Sequence, residues 1–213
     1  MGWTILRPHH FMQNLLAQAE YIIKDGVVYS ASGDGKIPYI DPRDIAAVAF
    51  VTLTQPGHLG KKYVLTGGEA ISYRQAAEII GATIGKPVRF VDESPDQARA
   101  RRVREGLPPA VIESALAISA YQRAGGKTVT ITNTIADLTG RPPRTVGEFV
   151  REHAAAFRLL SATRVRALRR RCSIPRSRGI YPATCAIDGR SSGRRRLCVV
   201  LSLMPWRHFK LLC

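Results

Sequence analysis

Thr4-Ile5-Leu6-Arg7-Pro8-His9-His10-Phe11-Met12-Gln13-Asn14-Leu15-Leu16 changes its pattern from strand to helix within thirteen residues. Thr4 to Leu6 is a short apolar run and reads as a buried strand. Arg7-Pro8 ends it, since proline fixes φ and brings no N–H to a ladder. From Phe11 onward the apolar positions fall at Met12, Leu15, Leu16, Ala19, Ile22 and Ile23, the spacing of one helix face. Asp25-Gly26 stops that helix, Val27 to Tyr29 resumes extended structure, and Ser30 to Lys36 is a polar loop.

The alternation continues outward. Asp41-Pro42-Arg43-Asp44 opens a helix, with Asp41 as N-cap, Pro42 at the first position and Asp44 at the positive end of the dipole. Ile45 to Leu53 follows, apolar on nearly every face, so this helix is expected to be deeply buried. Lys62 to Thr66 alternates as a strand. Ser72-Tyr73-Arg74-Gln75 is a capping box for a helix that Gly85 closes. Val88 to Val91 is the next strand. Ser94-Pro95 caps a helix whose Arg99, Arg101, Arg102 and Arg104 read as a solvated basic face. Pro108-Pro109 starts another, running through Ile112, Ala115, Leu116 and Ser119 to Gly125-Gly126. Thr145 and Glu148 frame a further capping box, and its helix buries Val146, Phe149, Val150 and Phe157. Strands and helices alternating at these lengths define an α/β protein with at least partly parallel pairing.

The chain has 213 residues, 45% of them hydrophobic, which suffices for a core. Its longest largely apolar run, Ile45 to Leu53, is well short of the ~20 residues of a membrane helix, and no secretory signal precedes Arg7-Pro8. A cytoplasmic protein without membrane contact is expected. The net charge of +16 is unevenly spread: residues 1–158 hold 19 Lys+Arg against 15 Asp+Glu, whereas 159–213 hold 13 against 1. The chain therefore divides near Arg158 into an ordered domain, 1–158, and a basic tail, 159–213, which carries all four cysteines. Gly-x-Gly-x-x-Gly, the P-loop, Gly-x-Ser-x-Gly, His-Glu-x-x-His, Cys-x-x-Cys and Tyr-x-x-x-Lys are all absent. Residue types alone give an α/β domain without a self-contained active site.

Four segments carry a resemblance. Thr4 to Leu16 resembles the strand, Arg-Pro turn and Phe/Asn-bearing helix of the NmrA-like family, which are atypical short-chain dehydrogenases. Gly35-Lys36-Ile37-Pro38 with Asp41-Pro42-Arg43-Asp44-Ile45-Ala46 resembles the next strand and helix. Gly57-His58-Leu59-Gly60-Lys61-Lys62-Tyr63-Val64-Leu65-Thr66-Gly67 and Gly140-Arg141-Pro142-Pro143 with Thr145 and Phe149 match later elements. The order and spacing cover residues 3 to about 157. The resemblance begins in the middle of the family's fold. It implies the C-terminal portion of a Rossmann-like NAD(P)-binding fold with a small α/β substrate lobe, truncated before the glycine-rich turn and leaving the edge of the first strand open.

What the resemblance implies for function follows position by position. Pro8, His9, His10 and Phe11 would line the nicotinamide end of the dinucleotide, and Phe11 and Asn14 would face the substrate cleft. The C-terminal ends of strands are where open α/β sheets take ligands, which supports that placement. The implied cofactor is NAD(P), with NADP preferred. The implied activity is reduction of a quinone-like or small carbonyl substrate, and the alternative within the family is a redox sensor that binds the dinucleotide without turnover. No general acid can be nominated. Neighbouring His9 and His10 do not point at one metal and have no third ligand, so no metal is expected. Asp41 and Asp44 read as helix-capping groups, and Tyr73 and Tyr121 as packing residues.

In the tail Arg outnumbers Lys 12 to 1 and no period survives more than a few residues. Arg169-Arg170-Arg171 and Arg194-Arg195-Arg196 would neutralise phosphates, giving a third reading: non-specific, salt-dependent nucleic-acid binding through 159–213. The cysteine spacing fits no zinc pattern. The abrupt change of composition where the resemblance ends makes the tail a disordered segment or appended read-through translation.

Overall fold

The computed structural model describes residues 2–158 and 197–201. Strand β1 (Gly2–Pro8) is central to one sheet. Strand β3 (Lys62–Leu65) lies parallel on one side, with Ile5 opposite Lys62 and Pro8 opposite Leu65. Strand β5 (Leu197–Leu201) lies parallel on the other, with Gly2 opposite Leu197 and Leu6 opposite Leu201. A second, two-stranded parallel sheet pairs β2 (Val27–Ser30) with β4 (Arg89–Asp92). Parallel neighbours require crossover connections, and these carry the helices.

Local chemistry places most of the helix ends. Helix α2 (Pro42–Thr54) starts at Asp41, whose side chain accepts from the Arg43 N–H. Helices α3 (Tyr73–Ile84), α4 (Pro95–Arg104) and α7 (Val146–Glu152) open with reciprocal capping boxes at Ser72/Gln75, Ser94/Gln97 and Thr145/Glu148. The helix expected from Phe11 onward is two pieces, a 3₁₀ segment over Met12–Gln18 and α1 (Ala19–Asp25), which Gly26 closes at φ 66°. The buried residues of the first piece, Met12 and Leu15, are three apart, and a 3₁₀ turn stacks such residues on one line. Helix α5 (Pro109–Ala124) follows, then α6 (Thr134–Thr139) and α8 (Ala154–Phe157).

Three clusters make the core. Met12, Leu15, Ile22, Ile37, Tyr39, Tyr73, Ile80, Phe149 and Phe157 join α1, α3, α7 and α8. Leu6, Leu65, Ile40, Ile45, Val48 and Ile135 hold α2 and α6 against one face of β1 and β3. Ala31, Ala98, Ile112 and Leu116 pack the α4–α5 pair.

Two expectations change. Helix α2 is not buried all round: Phe50 is 67% exposed and Leu53 45% exposed. Only the face bearing Asp44, Ile45, Val48 and Thr52 is covered. Within the tail, Leu197-Cys198-Val199-Val200-Leu201 forms β5, because this run of apolar residues finds an edge of β1 to pair with. The rest of 159–213, with its arginine clusters, lies outside the described residues. No helix among the described residues is long and apolar enough to cross a membrane.

Candidate cofactor and substrate site

Beyond Pro8 the chain turns through His9-His10-Phe11, and three backbone hydrogen bonds fix that turn. The His9 N–H donates to the Leu65 carbonyl at 2.9 Å, the His10 carbonyl accepts from the Ile40 N–H at 2.9 Å, and the Met12 N–H donates to the Ile40 carbonyl at 3.0 Å. Gly67, just past β3, lets the Tyr39–Ile40 backbone come close, since a Cβ there would fall on the Tyr39 carbonyl. Tyr39 is thereby set against His10, ring centroids 5.3 Å apart, and against Tyr73, 6.0 Å apart, both edge to face.

Tyr73 opens α3 and places its hydroxyl 3.3 Å from His10 Nε2, while the Asn14 amide nitrogen lies 3.2 Å from the same atom. The amide nitrogen can only donate, so Nε2 acts as acceptor and the ring proton sits on Nδ1. Burial pushes the His10 pKa down to about 4, and His9 beside it adds to the effect. Burial also lowers His9 and raises Tyr39 and Tyr73. All four side chains are therefore neutral at pH 7. This corner offers flat aromatic faces and hydrogen-bond donors without net charge.

The His10 shift fixes a pH dependence. The folded value lies below the ordinary 6.5, so the unfolded chain takes up a proton that the folded chain refuses as pH falls from 6.5 towards 4. Stability is complete above that window and is lost through it, by about 2 kcal/mol between pH 7 and pH 5. Urea midpoints at the two pH values check this. An equal loss in His10→Gln would remove His10 as its cause.

Two buried polar atoms here have no hydrogen-bond partner among the described residues: His9 Nδ1 on the turn and the Tyr39 hydroxyl. The Tyr73 hydroxyl acts on the titration of Tyr39 without being aligned for a hydrogen bond. Such groups normally cost ~1–3 kcal/mol each when left unmade.

A separate ionic tie holds the frame. Asp44, wholly buried, accepts from the Arg144 N–H at 2.8 Å and pairs with Arg141 at 3.1 Å. Asp41 pairs with Arg144 at 2.9 Å. Glu152 accepts from Arg43 and Arg144, which hold its carboxyl at about 2. Asp44 is thus more than a capping charge: it joins the start of α2 to the Arg141–Arg144 segment.

Of the residues the sequence singled out, His10 and Asn14 come together, His9 precedes them on the same turn, Pro8 ends β1, and Phe11 is half-buried against the Leu6–Ile40 cluster. Tyr39 and Tyr73 were not anticipated there. Tyr73 is more than packing, since it bonds to His10. Tyr121 is half exposed, at 52%. The basic run of α4 is no uniform solvated face either. Arg101 donates to both oxygens of Glu93 at 2.8 Å and lies over the Tyr21 and Tyr29 rings. The only local signal for Tyr73 was its place after a capping serine; its partner His10 is 63 positions away.

A mixed α/β fold with parallel strands is that of the Rossmann-like NAD(P)-binding proteins. No protein-family model matches the chain. It is 41% identical over 162 residues to the NAD(P)H azoreductase of Xenophilus azovorans, covering 74% of this chain and 54% of that protein. It is 40% identical over 155 residues to the (4-alkanoyl-5-oxo-2,5-dihydrofuran-3-yl)methyl phosphate reductase of Streptomyces griseus subsp. griseus, covering 73% and 54%. Among solved structures it is similar to the NADPH-dependent quinone oxidoreductase QOR2 of Escherichia coli in complex with NADPH. The TM-score is 0.67 and the identity 29%, over 72% of this chain and 54% of that one. The chain spans about half the length of the curated relatives it matches.

Proposed function

We propose that the chain is the C-terminal portion of an NmrA-like, NAD(P)H-dependent oxidoreductase that prefers NADPH and reduces a flat, quinone-like or small carbonyl acceptor. The observation that carries the reading is the uncharged His9-His10-Tyr39-Tyr73 corner at the C-terminal end of β1. The similarity to reductases named for NAD(P)H and NADPH supports it.

The corner fits the nicotinamide end of the dinucleotide. Pro8, His9, His10 and Phe11 lie along one turn, and the buried, unclaimed Nδ1 of His9 would meet a polar group of the ligand. Bound there, the dinucleotide supplies the hydride. The protein's part is to bind, orient and keep water out. His10, neutral and fixed in one tautomer by Tyr73 and Asn14, orients the turn without placing a charge beside the transferring hydride. Phe11 and Asn14 face the acceptor.

Titration of the full chain with NADPH, followed by nicotinamide fluorescence at ~0.3 M salt, tests the reading, because that salt screens the basic tail. Saturable binding, and NADPH oxidation when 9,10-phenanthrenequinone is added, are expected. Binding without oxidation would support the redox-sensor alternative. Binding lost in salt would leave only phosphate attraction by the tail and overturn the site.

A further inference from the structure

Between α4 and the two-stranded sheet lies a space that the β1 turn does not use. Its floor is one face of that sheet. Tyr29 of β2 and Val91 of β4 stand opposite each other in register, and Glu93, two residues on, points to the same side. The Glu93 N–H donates to the Ser30 carbonyl at 3.0 Å, so the ladder continues through it. The roof is one face of α4, where Gln97, Ala100 and Arg104 recur at helical spacing. These six side chains line a cavity of about 290 Å³, close to the ~300 Å³ at which small-molecule pockets begin. Ala100 stands between the two long side chains, and its single methyl leaves room over Tyr29 and Val91. Tyr29 itself is held by the Tyr21 ring, edge to face at 5.3 Å, and by the Arg101 guanidinium, 5.4 Å from its centroid.

The polar groups of this cavity are unevenly claimed. Its one acid, Glu93, gives both carboxylate oxygens to Arg101 at 2.8 Å. Arg104 makes no hydrogen bond, ion pair or ring contact among the described residues. Gln97 commits its carbonyl oxygen to the Ser94 N–H at 2.8 Å, which leaves its amide nitrogen as a second unclaimed donor. We infer that the cavity is a binding site for a small planar aromatic carboxylate, its ring on Tyr29 and Val91 and its acid on Arg104. The guanidinium fork matches the paired oxygens of a carboxylate, and the tyrosine offers a flat apolar surface to the ring. Gln97, about 10 Å along the helix from Arg104, would meet a hydroxyl or carbonyl at the far end of a longer ligand. The site is built from β2, β4 and α4, shares no residue with the Pro8–Phe11 turn, and does not depend on the dinucleotide reading.

The test is a ligand-observed NMR titration of the full chain with 2-naphthoate and its neutral isostere 2-naphthamide, at ~0.3 M salt to screen the basic tail. The carboxylate is expected to bind about fivefold more tightly, a difference of about 1 kcal/mol. Arg104→Gln brings the two affinities within about twofold of each other, and Ala100→Leu fills the space and weakens both by about tenfold. Arg99→Gln, which removes a guanidinium already paired with Glu113, keeps the preference. Far-UV circular dichroism confirms that each variant is folded. Failure of both probes to bind the parent chain would overturn the site. So would a preference that survives Arg104→Gln or disappears equally in Arg99→Gln. Binding undiminished in Ala100→Leu would overturn it as well, since the probes would then sit elsewhere on the chain.

Discussion

Gly67→Ala is expected to lower the unfolding midpoint by roughly 8–16 °C, corresponding to about 4 kcal/mol in a unit of this size. A Cβ at this position would fall on the carbonyl oxygen of Tyr39, a backbone atom that no rotamer change can move. The backbone itself has little freedom to yield. Tyr39 N–H is bonded to the Ile37 carbonyl at 3.0 Å, Ile40 is bonded to His10 and Met12 at 2.9 and 3.0 Å, and Ile37 pairs with Ile71. Relief of the clash therefore shifts the His10 turn as well, so whatever variant remains folded should lose affinity for NADPH. Calorimetry and the NADPH titration check the two halves together. A variant melting within about 2 °C of the parent would show that the Tyr39 segment gives way far more easily than its bonds imply.

Asp44→Ala is the second large effect, with an expected loss of about 3–5 kcal/mol. The carboxylate is wholly buried, and its removal strands the Arg144 N–H that it accepts at 2.8 Å. It also releases Arg141 to solvent and leaves a void at the first turn of α2. Glu152→Gln, in contrast, removes an exposed partner of the same arginines and should change little, because exposed pairs are weak. Urea unfolding of the two variants provides the comparison. The expected signature is a lower midpoint at unchanged slope for Asp44→Ala. A cost below about 1 kcal/mol would mean that the buried pair contributes no more than a surface one.

These two residues also show where reading a sequence stops. Caps were legible because their chemistry spans three residues: Ser72 and Gln75, Ser94 and Gln97, Thr145 and Glu148 each satisfy the other's end of a helix. Asp44 was legible as a helix-start charge for the same reason. Its second role was not, since Arg144 lies 100 positions away and nothing local marks the pair. Residues of the β1 turn were placed by resemblance, and His10 and Asn14 do meet, four positions apart on one turn. Tyr73 and Tyr39 join them only through tertiary packing. Arg101 and Arg102 make the point at its sharpest. Identical in chemistry and adjacent in sequence, they differ by one helical step, which sends one to Glu93 and leaves the other with a buried Nη1 that has no hydrogen-bond partner among the described residues. Helix α2 differs in the opposite sense: apolar composition predicts burial, but burial depends on how many neighbours arrive, and Phe50 and Leu53 stay 67% and 45% exposed.

The tie between Asp44 and Arg144 also sets an order of events during synthesis. The acid leaves the ribosome 100 residues before its partner. At ~5–20 residues per second that interval is roughly 5–20 s. Throughout it the carboxylate that the finished fold buries at the first turn of α2 lacks both the Arg144 N–H and the Arg141 guanidinium. Only when the Arg141–Arg144 segment emerges does neutralising that acid let the early and late parts of the chain close together. Until then the nascent protein presents an unfinished apolar sheet face, and chaperones have those seconds in which to find it.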